Sequence, residues 1–178
     1  LYSKTLRAME SVRILAKQRN YPNLLGRTWW IAGTIFLRQG KTREANYAYI
    51  SALPLYRQTE DWESHSHISV VLGNAIEILG QTRIAYIHWF GALENLGRVN
   101  SAYRRCRVLN GIAIALARNR RVGIAFNFVQ EAMEIAVNAQ DASTLPVVFY
   151  LRTGLYRAIG DVGRARADLE EALRLAEQ

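Results

Sequence analysis

The chain has 178 residues, of which 50% are hydrophobic and 21% charged, enough apolar material for one folded domain. Its single cysteine, Cys106, excludes an intrachain disulfide and fits a reducing, cytoplasmic setting. No apolar run approaches the roughly 20 residues of a membrane span, so neither a membrane partner nor a secretory leader is expected.

The net charge of +8 is unevenly placed. Residues 1–60 and 95–130 are strongly basic, whereas 61–94 and 131–178 are mildly acidic. This alternation implies discrete basic faces rather than a uniformly basic chain.

Taken in chain order, the pattern is helical from the start. Met9, Val12 and Leu15 give residues 1–19 one amphipathic helix. Leu1 stands in place of an initiator methionine and the pattern is still running at Gln178, as expected of a segment of a longer protein. From about 22 to 60, two helices flank a turn at Gly40, with Pro22 suited to the first turn. Pro54 is expected to kink or end the second of these helices near Leu53. Residues 61–99 repeat the arrangement around Gly80. In residues 100–140 the turn falls near Arg120, where Asn119 is expected to supply the left-handed conformation. The last unit, 141–178, turns at Gly160, with Pro146 in or near a first helical turn and Asp161 as N-cap. Its final helix carries Val162, Ala165, Leu169, Ala172, Leu173 and Ala176 on one face.

These units share a period of 40 residues. Ala45, Ala85, Ala125 and Ala165 recur in register, as do Ala52, Ala92, Ala132 and Ala172. Two helices approach to roughly 8–10 Å where the contact side chains are short. A fixed period of this size indicates stacked copies of one supersecondary unit, here forming one continuous domain over 20–178. Gly33 and Gly73 also recur, seven residues before their turn glycines, and imply close backbone packing.

The pattern resembles the tetratricopeptide repeat, W-x2-L-G-x2-Y followed by glycine, A-x3-F and alanine. Trp29, Ala32, Gly33, Phe36, Gly40, Ala45, Tyr49 and Ala52 carry the resemblance in the first unit. The second offers Leu72, Gly73, Ile76, Gly80, Ala85, Trp89 and Ala92. The third has Leu109, Ile112, Ala113, Leu116, Ala125, Val129 and Ala132. The fourth has Phe149, Thr153, Tyr156, Gly160, Ala165, Leu169 and Ala172. There Arg152 replaces the expected leucine and suggests a one-residue shift, since Leu151 and Gly154 stand beside it. The usual unit is about 34 residues, so longer helices or longer links are expected here. Forty-residue variants are familiar in bacterial signalling and regulatory proteins and in some cytoskeletal cargo adaptors.

The resemblance implies an all-α, right-handed α-solenoid whose first helices line a concave groove for a protein or peptide. Its register places Arg27, Trp30, Thr34 and Arg38 in that groove. His67, Val70, Asn74 and Glu77 follow, then Arg107, Asn110, Ile114 and Arg118, and finally Tyr150, Gly154 and Arg157. The arginine content favours an acidic partner, because guanidinium offers forked donors to carboxylates. Asn74 and Arg107 match two positions of the carboxylate clamp found in some members of that family. Trp30, Gly111 and Ile114 depart from it.

A second basic set, Arg98, Arg104, Arg105, Arg120 and Arg121, offers an alternative surface for a nucleic-acid backbone. Self-association through exposed terminal helices is a third reading, since stacked repeats leave their ends open. The His65-x-His67 pair points two ways from a helix and implies no metal site. Cys106 reads as a bystander. No nucleophile–base set, phosphate loop or paired catalytic carboxylate is present, so neither an enzyme nor a cofactor is expected.

Overall fold

The computed structural model describes residues 2–140 and 143–177. It is all-α, with no strand among the described residues. The helices are α1 (Tyr2–Gln18), α2 (Pro22–Arg38), α3 (Thr42–Gln58), α4 (Trp62–Ile78), α5 (Thr82–Glu94), α6 (Ala102–Arg118), α7 (Val122–Asn138), α8 (Leu145–Ala158) and α9 (Val162–Ala176). A 3-10 turn, Leu96–Arg98, follows α5. The contacts divide the chain into two compact units, Leu1–Asn95 and Leu96–Gln178. The α3–α4 turn occupies residues 59–61, and Asp141, the expected start of the last repeat, lies outside the described residues.

The length of the repeat has a local explanation. Helices α2, α3, α4, α6 and α7 are each 17 residues long, and three-residue turns join partners such as α2 and α3. The extra residues therefore lie in the helices, not in the links. Most turns are built alike. The peptide N–H of Lys41 donates to Phe36 O at 2.9 Å and that of Gly40 to Leu37 O at 3.0 Å. This paired closure of a helix end needs a left-handed residue between the helices, and Gly40 supplies it at φ 73°.

The same position is held by Asn20, Glu60, Arg120 and Gln140 at φ between 51° and 59°. Arg120 itself, not Asn119, takes the left-handed conformation expected of its neighbour. Asn119 caps α6 with φ −82° and donates its side-chain amide to Ala115 O at 2.9 Å. Two backbone bonds, Arg120 N to Ala117 O and Arg121 N to Leu116 O, hold the strained residue in place. A left-handed non-glycine costs about 1 kcal/mol, which closure of the helix end offsets.

Two further expectations are corrected. Helix α3 continues through Pro54 to Gln58. The proline is exposed, so its ring and its missing donor face water rather than the packed side. Nor does α8 slip by one residue: Thr153 is buried at the place of Gly33, Gly73 and Ala113. Arg152 stays in register because its guanidinium bonds Asp168 of α9 twice, at 2.7 and 2.8 Å. Proline and aspartate behave as expected elsewhere. Pro22 and Pro146 lie in first turns, and Asp161 accepts from Arg164 N at 3.0 Å.

All eight period alanines are buried, six of them completely. Between them the hairpins interlock by size. A Cβ on Gly33 would lie 2.5 Å from the Tyr49 ring, and one on Gly73 would collide with Trp89. At the matching positions Ala113 is paired with Val129 and Thr153 with Leu169, so the second helix carries smaller side chains as the first gains bulk. In α9 only part of the expected apolar face is covered. Ala165 and Ala172 are buried, but Val162, Leu169 and Leu173 remain exposed.

Candidate functional site

In the first unit the groove register turns out to be partly committed to internal bonds. The Thr34 hydroxyl donates to Trp30 O at 3.0 Å and lies 3.5 Å from the Tyr49 hydroxyl, which donates to it. Asn74 Oδ1 accepts the indole N–H of Trp89 at 3.0 Å. Tyr49 and Trp89 thus each find a polar partner on the first helix of their own hairpin, which lowers the cost of desolvating a hydroxyl or an indole. Val70 is buried. Trp30 and His67 meet edge to face with ring centroids 5.3 Å apart, joining α2 to α4. Glu77 is half-buried on the last turn of α4, and Arg27 and Arg38 are exposed near the two ends of α2.

Titration in this unit is dominated by burial. Tyr56 is fully buried beneath Gly26, and its hydroxyl is pushed up by burial and by the charge of Asp61, against a smaller opposite pull from Arg27. His65 is held below its ordinary value by burial and by Arg57. His88 is lowered by burial.

The second unit differs. Here α6 and α8 border a cleft of about 290 Å³. Ile114 and Arg118 come from α6, and Tyr150, Leu151, Gly154, Leu155 and Arg157 from α8; Val129 of α7 forms part of the lining. Five of these were placed in the groove by register: Ile114, Arg118, Tyr150, Gly154 and Arg157. The space has two causes. Val129 stands where the first unit has Tyr49 and Trp89, and Gly154 presents no side chain where Thr34 and Asn74 stand. A Cβ on Gly154 would meet nothing within 4 Å. The result is a predominantly apolar cleft with arginine at the C-terminal ends of both helices, where the helix dipole favours cations.

The other register residues do not join this cleft. Asn110 is buried in α6, and its Oδ1 has no hydrogen-bond partner among the described residues. Arg107 is exposed on the preceding turns, with Nη1 donating to the Tyr103 hydroxyl at 3.1 Å. The basic set is divided by the length of α6. Arg104 and Arg105 lie in its first turns and Arg120 and Arg121 beyond its end, roughly 20 Å away at 1.5 Å per residue. Arg98 lies on the 3-10 turn. Cys106 is fully buried, its thiol donating to Ala132 O at 3.2 Å.

Two features escaped the sequence reading. One is the Arg152–Asp168 pair. The other is a hollow of about 490 Å³ in the first unit, lined by Arg13, Trp29, Phe36 and Tyr47 among others. Arg13 stacks over Trp29 at 3.7 Å and pairs with Glu10 at 2.5 Å. A signal was present: forty residues on from Arg13, the register holds Leu53, Leu93, Met133 and Leu173.

No helix among the described residues is long and apolar enough to cross a membrane. No family model matches the chain, and no curated protein matches it. Solved structures do. BtubC (BKLC) from P. vanneervenii superposes with a TM-score of 0.75 at 22% identity, over 97% of this chain and 73% of that one. The apo form of RapI superposes with a TM-score of 0.63 at 13% identity, over 99% of this chain and 77% of that one. What the likeness establishes is the fold, an all-α helical repeat.

Proposed function

We propose that this chain is a protein-binding module of the tetratricopeptide type, acting by recognition rather than catalysis. Its partner is an acidic protein segment, and its principal contact surface is the α6–α8 cleft. The observation that carries this reading is the pairing of an apolar floor with Arg118 and Arg157 at one end. An apolar side chain fills such a floor, and neighbouring carboxylates meet forked donors. The first unit supports a subsidiary role, since Thr34 and Asn74 already bond Tyr49 and Trp89.

The test is a binding titration with a fluorescent library of acidic peptides containing leucine or isoleucine. Arg118→Glu with Arg157→Glu is expected to weaken the best binder by about tenfold or more, as loss of charge-assisted contacts should. Gly154→Leu, which fills the cleft without changing charge, is expected to weaken it as well. Unchanged affinity in both variants refutes the site. A poly-uridine RNA in the same assay, bound more tightly than any peptide and with a steep salt dependence, would favour the alternative nucleic-acid reading.

A further inference from the structure

The outer face of α5 has an arrangement that the groove reading leaves unused. At roughly 100° per residue, Arg83, Ile87, Phe90 and Glu94 fall within about 30° of one line along this helix. Ile87 is 67% and Phe90 57% exposed, and both end residues of the stripe are exposed as well. Phe90 is not a loose side chain, because the Tyr86 ring stacks on it at 6.0 Å. Neither Arg83 nor Glu94 has an ion-pair partner in its own chain among the described residues. Two large apolar groups thus face water between two opposite charges.

The order of these residues selects an occupant. Arg83 and Glu94 are equally far from the midpoint between His88 and Trp89, and so are Ile87 and Phe90. A stripe that reads basic, apolar, apolar, acidic is complementary to itself when reversed. In a two-fold symmetric contact residue i meets j and j meets i. We infer that the outer face of α5 is a self-association surface, pairing antiparallel with α5 of a second copy of this chain. Arg83 of one copy then faces Glu94 of the other, twice per dimer, and Ile87 and Phe90 from both copies close the centre. Gly91 on the flank has open space where a Cβ would stand, so nothing holds the partner helix off. Helix α3, which also packs on α4, repeats the apolar pair forty residues earlier as Tyr47 and Ile50, 66% and 54% exposed. That continuation adds apolar area, since a single pair of 13-residue helices falls short of the roughly 1,200 Å² of a stable interface.

This surface is distinct from the cleft of the second unit, and its test does not depend on any peptide. Sedimentation equilibrium of the whole chain across concentration is expected to show a concentration-dependent equilibrium between monomer and dimer. Arg83→Glu alone and Glu94→Arg alone each turn two attractions into two repulsions and should weaken the dimer by about tenfold. The double reversal R83E/E94R restores the pairing and should return the affinity to near the original value. Phe90→Glu should abolish it, with circular dichroism reporting whether that variant folds. A wild-type chain that stays monomeric at about 1 mM overturns the inference. So does a double reversal no tighter than its single parents, because association would then run through another face.

Discussion

The two units solve one packing problem in opposite ways. In the first, glycine on the leading helix admits a large aromatic from the following one, and a polar residue one position further on receives the aromatic's hydroxyl or indole N–H. In the second, Ala113 and Thr153 face smaller aliphatic positions, and Ile114 and Gly154 stand where the polar receivers were. The first unit closes its register positions; the second leaves a cleft. The repeat keeps its helices in place through the alanines and assigns its surfaces through a few variable positions.

The largest expected effect is on the closed side. Trp89→Ala removes a fully packed indole and orphans Asn74 Oδ1, and should destabilise the first unit by about 3–5 kcal/mol. Hydrogen exchange resolved along the chain is the measurement. Equal loss of protection in both units would break the contrast. A smaller effect is expected for Asp168→Ala in the second unit. It leaves the Arg152 guanidinium, whose side chain is 21% exposed, without its carboxylate. Partial access to water limits the loss to roughly 2 kcal/mol. The double variant R152L/D168A should recover most of it in urea unfolding, because Leu72 occupies the matching place in the first unit.

The smallest expected effect is on pH dependence. All three histidines lie in the first unit. Burial lowers His65 and His88 below their ordinary value near 6.5, so the fold prefers them neutral. The unfolded chain therefore takes up protons first as the pH falls through about 6.5, and unfolding is favoured below it. Stability from this source is complete at neutral pH and above. Exchange compared at about pH 5 and pH 7.5, corrected for intrinsic rates, should show protection lost in the first unit only. Replacement of both histidines by glutamine should remove the difference.

Much of this was legible in the residues. The alanine register, the glycine turns and the Asp161 cap depend on short-range sterics and hydrogen bonds, and the chain records those directly. Where the expectation differs from the structure, the surroundings of the residue had overruled its local preference. Pro54 is tolerated because its side of α3 faces solvent. Arg120 adopts a left-handed conformation because the peptide N–H groups of Arg120 and Arg121 must turn back to close the end of α6. Arg152 occupies an apolar position because Asp168, sixteen residues away, comes to meet it. The groove register spans both kinds of position. It named Arg118, Tyr150 and Arg157, which border the cleft, together with Asn74, whose carbonyl is already taken.

By itself, then, the sequence determined the helical hairpins and their forty-residue register. Small residues at fixed spacing and left-handed turns act over distances that one helix and its neighbour span. Only the tertiary structure decided which register positions are closed and which are open. A cleft is the absence of side chains from several helices at one point, and that absence depends on Val129 and Gly154 meeting across elements that the chain lists far apart.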